Sequence, residues 1–134
     1  MIKWDNKYSV NVSMIDEQHK KFIDIINKAT HVQKYNNKRP SAISEILIEI
    51  TAYARKHFRT EEAHMINCKY YDYKSHKDEH NSFSKIIPNY WQELADNKFE
   101  VIDAILEHLK RWLTNHIQGT DKKYVHCFNE NGLK

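Results

Sequence analysis

Only two glycines and two prolines interrupt 134 residues. Tight turns draw on these residues for left-handed or pre-set backbone angles, so the chain has few places to reverse sharply. Long helices joined by a few connections are the economical fold. The apolar residues agree, because they recur at intervals of three and four.

A first stripe, Ile15, His19, Phe22, Ile23, Ile26 and Thr30, predicts a helix capped by Ser13 or Asp16 and running to about Asn36. Asn36-Asn37-Lys38-Arg39-Pro40-Ser41 reads as a loop, with Ser41 capping a second helix that reaches about Asn67. Its stripe is Ile43, Ile46, Leu47, Ile50, Tyr53, Ala54, His57 and Glu61. A third helix is expected from about Tyr73 to Ala95, with Tyr73, His76, His80, Phe83, Ile87 and Trp91 or Leu94 on one side. Pro88 should kink it or end it early. After an Asp96-Asn97-Lys98 turn, a fourth helix carries Val101, Ile102, Ile105, Leu106, Leu109, Trp112, Leu113 and His116. Residues 1–13 form a polar and aromatic lead-in, and Lys122 to Phe128 one or two further helical turns. These elements predict one all-α domain over residues 1–134, an antiparallel up-down-up-down four-helix bundle with an extended N-terminal arm and a short C-terminal helix.

The 21 basic and 18 acidic residues alternate, leaving a formal charge of +3. Neither a nucleic-acid footprint nor a polybasic membrane anchor is visible. No apolar run approaches the roughly 20 residues of a membrane span, and no signal core follows Met1, so a cytoplasmic protein is expected. Cys68 and Cys127 match no CxxC spacing and read as two reduced thiols without a role.

The histidines carry the chemistry. Of nine, five fall in step with the helical stripes, His19, His57, His76, His80 and His116, together with Glu61. A lone histidine in such a stripe is ordinarily a hydrogen-bonded core residue. Five imidazoles and an acid in one small core are different, because each unpartnered polar group costs several kcal/mol on burial. They require a dense hydrogen-bond network or a metal, and the metal is the simpler account. His31, His64, His108 and His126 fall off the stripes or in the tail and read as surface residues. The spacings then run in order, one group per helix: His19, His57-x-x-x-Glu61, His76-x-x-x-His80 and His116-x-x-x-x-Asp121.

On these residues, with the lead-in Trp4 and Tyr8, Ile15-Asp16-Glu17-Gln18-His19-Lys20 and Trp112-Leu113-Thr114-Asn115-His116-Ile117, nearly the whole chain resembles the hemerythrin family, specifically its bacterial single-domain members. The resemblance implies two iron ions, Fe2+ or Fe3+, with a bridging oxo or hydroxo group in the bundle core. It assigns His76, His80 and His116 to one iron and His19 and His57 to the other, with Glu61 and Asp121 bridging both. It also implies reversible dioxygen binding at the two-histidine iron, for storage, delivery or scavenging, by a monomer that is not an enzyme. Phe22, Phe58, Trp112, Leu113 and Ile117 are expected to wall the oxygen pocket without proton donors. Asn11 stands where relatives carry glycine, which asparagine tolerates because it also visits the left-handed region.

One spacing resists a regular helix. His116 and Asp121 differ by about 140° around an α-helix. The fourth helix is therefore expected to end or bulge at Gly119, with that residue at positive φ.

Rival readings remain. His76-Lys77-Asp78-Glu79-His80 matches the HxxEH pattern of a metalloprotease with Glu79 as base, but that activity needs an open cleft. With Glu79 out of phase with the core, Asp78 and Glu79 read as solvated. Glu61-Glu62-Ala63-His64 offers one Glu-x-x-His unit of di-iron oxidases, peroxide-handling proteins or iron-storage proteins, yet no second copy exists. An oxygen sensor acting through a partner is the third alternative.

Overall fold

The computed structural model describes residues 1–35 and 39–134. Six α-helices follow in order: α1 Ser13–Tyr35, α2 Pro40–Asn67, α3 Tyr73–Lys85, α4 Ile87–Ala95, α5 Val101–Trp112 and α6 Val125–Glu130. The described residues contain no strand. α1 packs on α2 and α5, α2 packs on α3 and α4, and α4 packs on α5, which makes the four-helix bundle. The expected end of the first helix at Asn36 and the start of the loop after it lie outside the described residues.

Local chemistry explains the boundaries. Pro88 occupies the first turn of α4 and divides the third rod at Ile86, as expected of a residue that cannot continue an i→i−4 ladder. Ser41 does not cap α2. Arg39 holds the N-cap position without a side-chain bond, and Pro40 opens the helix, where its fixed φ and missing N–H cost nothing. α1 begins at Ser13, and Asp16 holds the lead-in instead of capping: its carboxylate accepts from Ser9 Oγ at 2.6 Å and Val10 N–H at 2.8 Å. Asn11 has φ 55, the left-handed conformation anticipated for it.

Two apolar clusters bracket a polar layer. One contains Phe22, Ile26, Ile50, Phe58, Phe83, Ile105 and Leu109, and the other Val12, Ile15, Met65, Tyr70, Tyr124 and Phe128. Along α1 the order is Ile15, His19, Phe22, and along α2 it is Phe58, Glu61, Met65. The in-phase polar residues thus fall where one cluster hands over to the other.

The fourth rod changes its winding. α5 runs into a π-helical turn, Leu113–Ile117, closed by Gln118 N–H donating to Leu113 C=O at 3.1 Å, and a 3-10 turn follows at Thr120–Tyr124. The bulge is present, but it lies earlier than expected, and Gly119 is not left-handed: its φ is −110. Glycine is required there for space. A Cβ at Gly119 would stand 2.5 Å from the Asn115 carbonyl oxygen.

The cysteines also differ from expectation. Cys68, just past α2, and Cys127, in α6, form a disulfide with Cα atoms 5.9 Å apart. Their separation of 59 residues concealed this, because the C-terminal segment folds back onto the end of α2.

Gly119→Ala should lower stability by about 1–3 kcal/mol, since the obstructing atom is backbone and cannot swing aside; the shift of the urea midpoint measures it. The disulfide predicts that neither cysteine is alkylated in the native protein until a reductant is added, as intact mass would report. On the chain-entropy account, Cys127→Ser should cost up to about 4 kcal/mol for a loop of this length.

Candidate metal centre

Every residue singled out for a metal arrives at one place. α1 supplies His19, α2 His57 and Glu61, α3 His76 and His80, the π turn His116 and the 3-10 turn Asp121; none is more than 1% exposed. They form two overlapping groups. One potential ligand atom from each of Glu61, His76, His80, His116 and Asp121 lies within 4.8 Å of the others, and the same holds for His19, His57, Glu61 and Asp121. The carboxylates belong to both groups. His57 and His80 Nε2 stand 3.2 and 3.1 Å from Glu61 Oε1, His76 and His116 Nε2 each 3.0 Å from Asp121 Oδ1, and His19 Nε2 3.1 Å from Asp121 Oδ2.

These are ion-pair distances without hydrogen-bond geometry. The five Nε2 atoms, Glu61 Oε1 and both Asp121 oxygens are buried with no hydrogen-bond partner. Leaving eight such atoms unsatisfied would be prohibitive for a small core, and all eight point inward to a common space. Imidazole nitrogens with shared carboxylate oxygens suit a first-row transition metal such as iron.

The outer ring nitrogens of three histidines are fixed by neighbours that the sequence reading passed over. His57 Nδ1 lies 2.6 Å from Gln18 Oε1, His80 Nδ1 2.7 Å from Glu62 Oε2 and His116 Nδ1 2.8 Å from Glu79 Oε1. Tyr124 donates its hydroxyl to Glu61 Oε2 at 2.5 Å. Glu79 is therefore not simply solvated, since it also accepts from Thr120 Oγ1 at 2.9 Å. The π turn brings His116 and Thr120 to it. Asp78 is exposed and pairs with Lys74, as expected of a helix-face residue.

Electrostatics in the metal-free protein follow from this crowding. Burial opposes charge on His76, yet the Asp121 and Glu61 carboxylates beside it raise its pKa to about 10. For His116 burial is likewise outweighed, chiefly by Asp121, and the value rises to about 9. Burial pushes Glu61 and Asp121 up, but the surrounding imidazoles hold both below the usual carboxylate range. Burial lowers His57.

The aromatic residues divide around the two groups. Phe58 stacks on His80 with centroids 4.0 Å apart, and Trp112 on His116 at 3.8 Å, both in the three-histidine group. Phe22 packs on Tyr53 at 5.0 Å, and Tyr53 stacks on His57 at 4.9 Å. Leu113 and Ile117 are buried in the same apolar cluster. This wall is not free of donors, because Tyr53 Oη and Trp112 Nε1 are both buried in it without partners. A surface cavity of about 370 Å³ lies against His57, lined in part by Gln18, Lys21, Tyr53 and Lys56. A larger groove of about 550 Å³, near Gln33, Leu106 and Thr114, includes none of the seven residues in its lining. The four remaining histidines stay out of both groups, although His108 is half-buried against Phe83 with Nδ1 3.2 Å from Tyr90 Oη.

Comparison with known proteins agrees with this geometry. Residues 10–127 match the family described as Hemerythrin HHE cation binding domain. A bacteriohemerythrin of Stenotrophomonas maltophilia is 30% identical over 93% of this chain and 80% of its own length, and one of Methylococcus capsulatus 29% identical over 92% of each. A crystal structure of a hemerythrin variant superposes with a TM-score of 0.83 at 28% identity, covering 96% of this chain and 97% of the other. A wild-type hemerythrin structure gives 0.78 at 26% identity, covering 96% and 98%. A histidine and carboxylate cluster, a four-helix scaffold and a sequence match across most of the chain thus coincide, and the chain belongs to the hemerythrin family.

Proposed function

We propose that this protein binds dioxygen reversibly at a non-heme di-iron centre held by His19, His57, Glu61, His76, His80, His116 and Asp121. The observation that carries the reading is the sharing of Glu61 and Asp121 between two groups that divide the histidines three to two. With a bridging oxo or hydroxo oxygen, the larger group would complete six ligands around one iron, while the smaller would leave its iron one ligand short. Two ferrous ions held there would supply the two electrons that dioxygen takes on binding and returns on release.

The surrounding residues favour reversibility. Tyr124 engages Glu61 Oε2 and leaves Oε1 toward His57 and His80. Phe58 and Trp112 cover ring faces and exclude water from the larger group. Tyr53 is a buried phenol beside His57, and burial, reinforced by the negative charge of Glu61 and Asp121, raises its pKa well above 10. It can donate a hydrogen bond while keeping its proton, which disfavours release of reduced oxygen as peroxide. His64, the partner needed for a Glu-x-x-His unit, packs against Phe128. No helix among the described residues is long and apolar enough to cross a membrane. We favour a non-enzymatic role for residues 1–134 as one domain, a monomer acting in oxygen storage, delivery or scavenging.

Purified protein should carry about two irons per chain and change colour reversibly when the reduced form meets oxygen. His116→Ala or Glu61→Ala should abolish the colour while far-UV circular dichroism stays helical, and His64→Ala should leave it intact. One zinc per chain, or retained oxygen binding in His116→Ala, would refute the assignment.

A second test uses pH. Folding raises the pKa of His76 and His116 from 6.5 to about 10 and about 9, so their contribution to the metal-free protein is whole below pH 6.5 and is lost as pH rises through those values. The melting temperature of the metal-free protein should fall over that interval. With Nε2 on iron rather than on a proton, the loaded protein should not share the fall.

A further inference from the structure

The three partners that fix the outer ring nitrogens are not alike. Glu62 and Glu79 are carboxylates, and both act on the three-histidine group, through His80 and His116. Gln18 is a neutral carboxamide and acts on the two-histidine group, through His57. The side chains of Glu62 and Glu79 are 19% and 43% exposed, so solvent tempers their charge without breaking either contact.

Two of the three partners are themselves held. Thr120 Oγ1 donates to both Glu79 oxygens, at 2.9 and 3.2 Å, and Thr120 immediately precedes Asp121. On the other side Thr60 donates its hydroxyl to the Lys56 carbonyl, so its oxygen accepts from Gln18 Nε2 at 3.4 Å. That contact directs the amide oxygen, not its NH2, at His57. The neutral partner is thus oriented by a neighbour of its own, through a longer contact than those on Glu79.

A carboxylate that accepts an imidazole N–H draws the ring toward imidazolate and makes the opposite nitrogen a stronger donor; an amide oxygen fixes the same tautomer with much less effect. We propose that Glu62 and Glu79 are positioning residues that make the three-histidine iron the more electron-rich of the pair, while Gln18 keeps the two-histidine iron the better acceptor for an incoming ligand. This rests on the functional reading above and extends it, because it gives the two irons unequal electronic character through residues that touch neither. The quantity altered is the one-electron ferric/ferrous couple. The ring proton remains on Nδ1, and no bond to the glutamates forms or breaks.

The test is a potentiometric titration of the iron-loaded full chain, followed by visible absorption, in Glu62→Gln, Glu79→Gln, Gln18→Glu and the exposed control Asp78→Asn. The two glutamate variants should shift the midpoint positive by about tenfold in the ferric-to-ferrous ratio at fixed potential, about 59 mV for one electron. Gln18→Glu should shift it negative, and Asp78→Asn should leave it in place. A second readout avoids iron. In the zinc-loaded chain, the ring N–H proton resonances of His80 and His116 should lie downfield of that of His57, and each glutamate variant should move its own partner's resonance upfield. A wild-type chain that takes up no iron overturns the functional reading and this inference together. Normal loading with midpoints unmoved, or moved in the same direction by all three variants, overturns this inference alone. Should a glutamate variant fail to fold, Gln18→Glu still decides the matter, since a midpoint that does not fall refutes the asymmetry.

Discussion

Seven ionisable side chains are enclosed in a bundle of 134 residues, and their mutual compensation is what the remaining structure serves. Burial alone would discharge every one of them. The charges persist because they are arranged around each other, with the imidazoles holding Glu61 and Asp121 below the usual carboxylate range while Asp121 lifts His76 and His116 above the ordinary histidine value. Protons therefore occupy, in the metal-free protein, the electrostatic role that cations take in a loaded one. The two apolar clusters on either side keep water from relaxing this balance.

That arrangement demands that Asp121 reach the centre from a helix that already delivers His116. A regular helix would point the two residues apart. The π turn at Leu113–Ile117 alters the phase, and the close approach of Gly119 to the Asn115 carbonyl permits the chain to fold back at once. The same return brings Thr120 to Glu79 and Tyr124 to Glu61. One local irregularity thus supplies a shared carboxylate, a support for a ring partner and a hydroxyl donor.

The sequence reveals the bundle and six of the seven convergent residues because both depend on periodicity; Asp121, out of phase with His116, enters only through the family resemblance. His19, Glu61 and His80 announce themselves by sharing a phase with isoleucine and phenylalanine. Glu79, Glu62 and Gln18 do not, since each stands one residue away from a member of the cluster, and a hydrogen bond to the far side of a ring requires that offset. Their signal is adjacency to an in-phase residue, which ordinary helix surfaces also show. The C-terminal segment was least legible. The early bulge and the steric need for Gly119 arise within a few residues but leave no mark on the apolar pattern, and the pairing of Cys68 with Cys127 is decided by where a distant segment of chain lies. Tyr53 was legible as core, but its position over His57 was not.

The covalent link has a topological consequence. Joining Cys68 to Cys127 makes residues 68–127 a closed ring, and His76, His80, His116 and Asp121 all lie on it. Glu61 alone of the larger group stands outside, a short way along α2, whereas His19 and His57 belong to the open part of the chain. When the bundle loosens, the four residues on the ring cannot drift apart beyond its span, so their effective concentration stays high. The smaller group has only Asp121 on the ring, so departure of α1 removes His19 with no covalent tether to return it. Covalent connectivity thus favours retention of the larger group's residues over His19 and His57 when the fold opens.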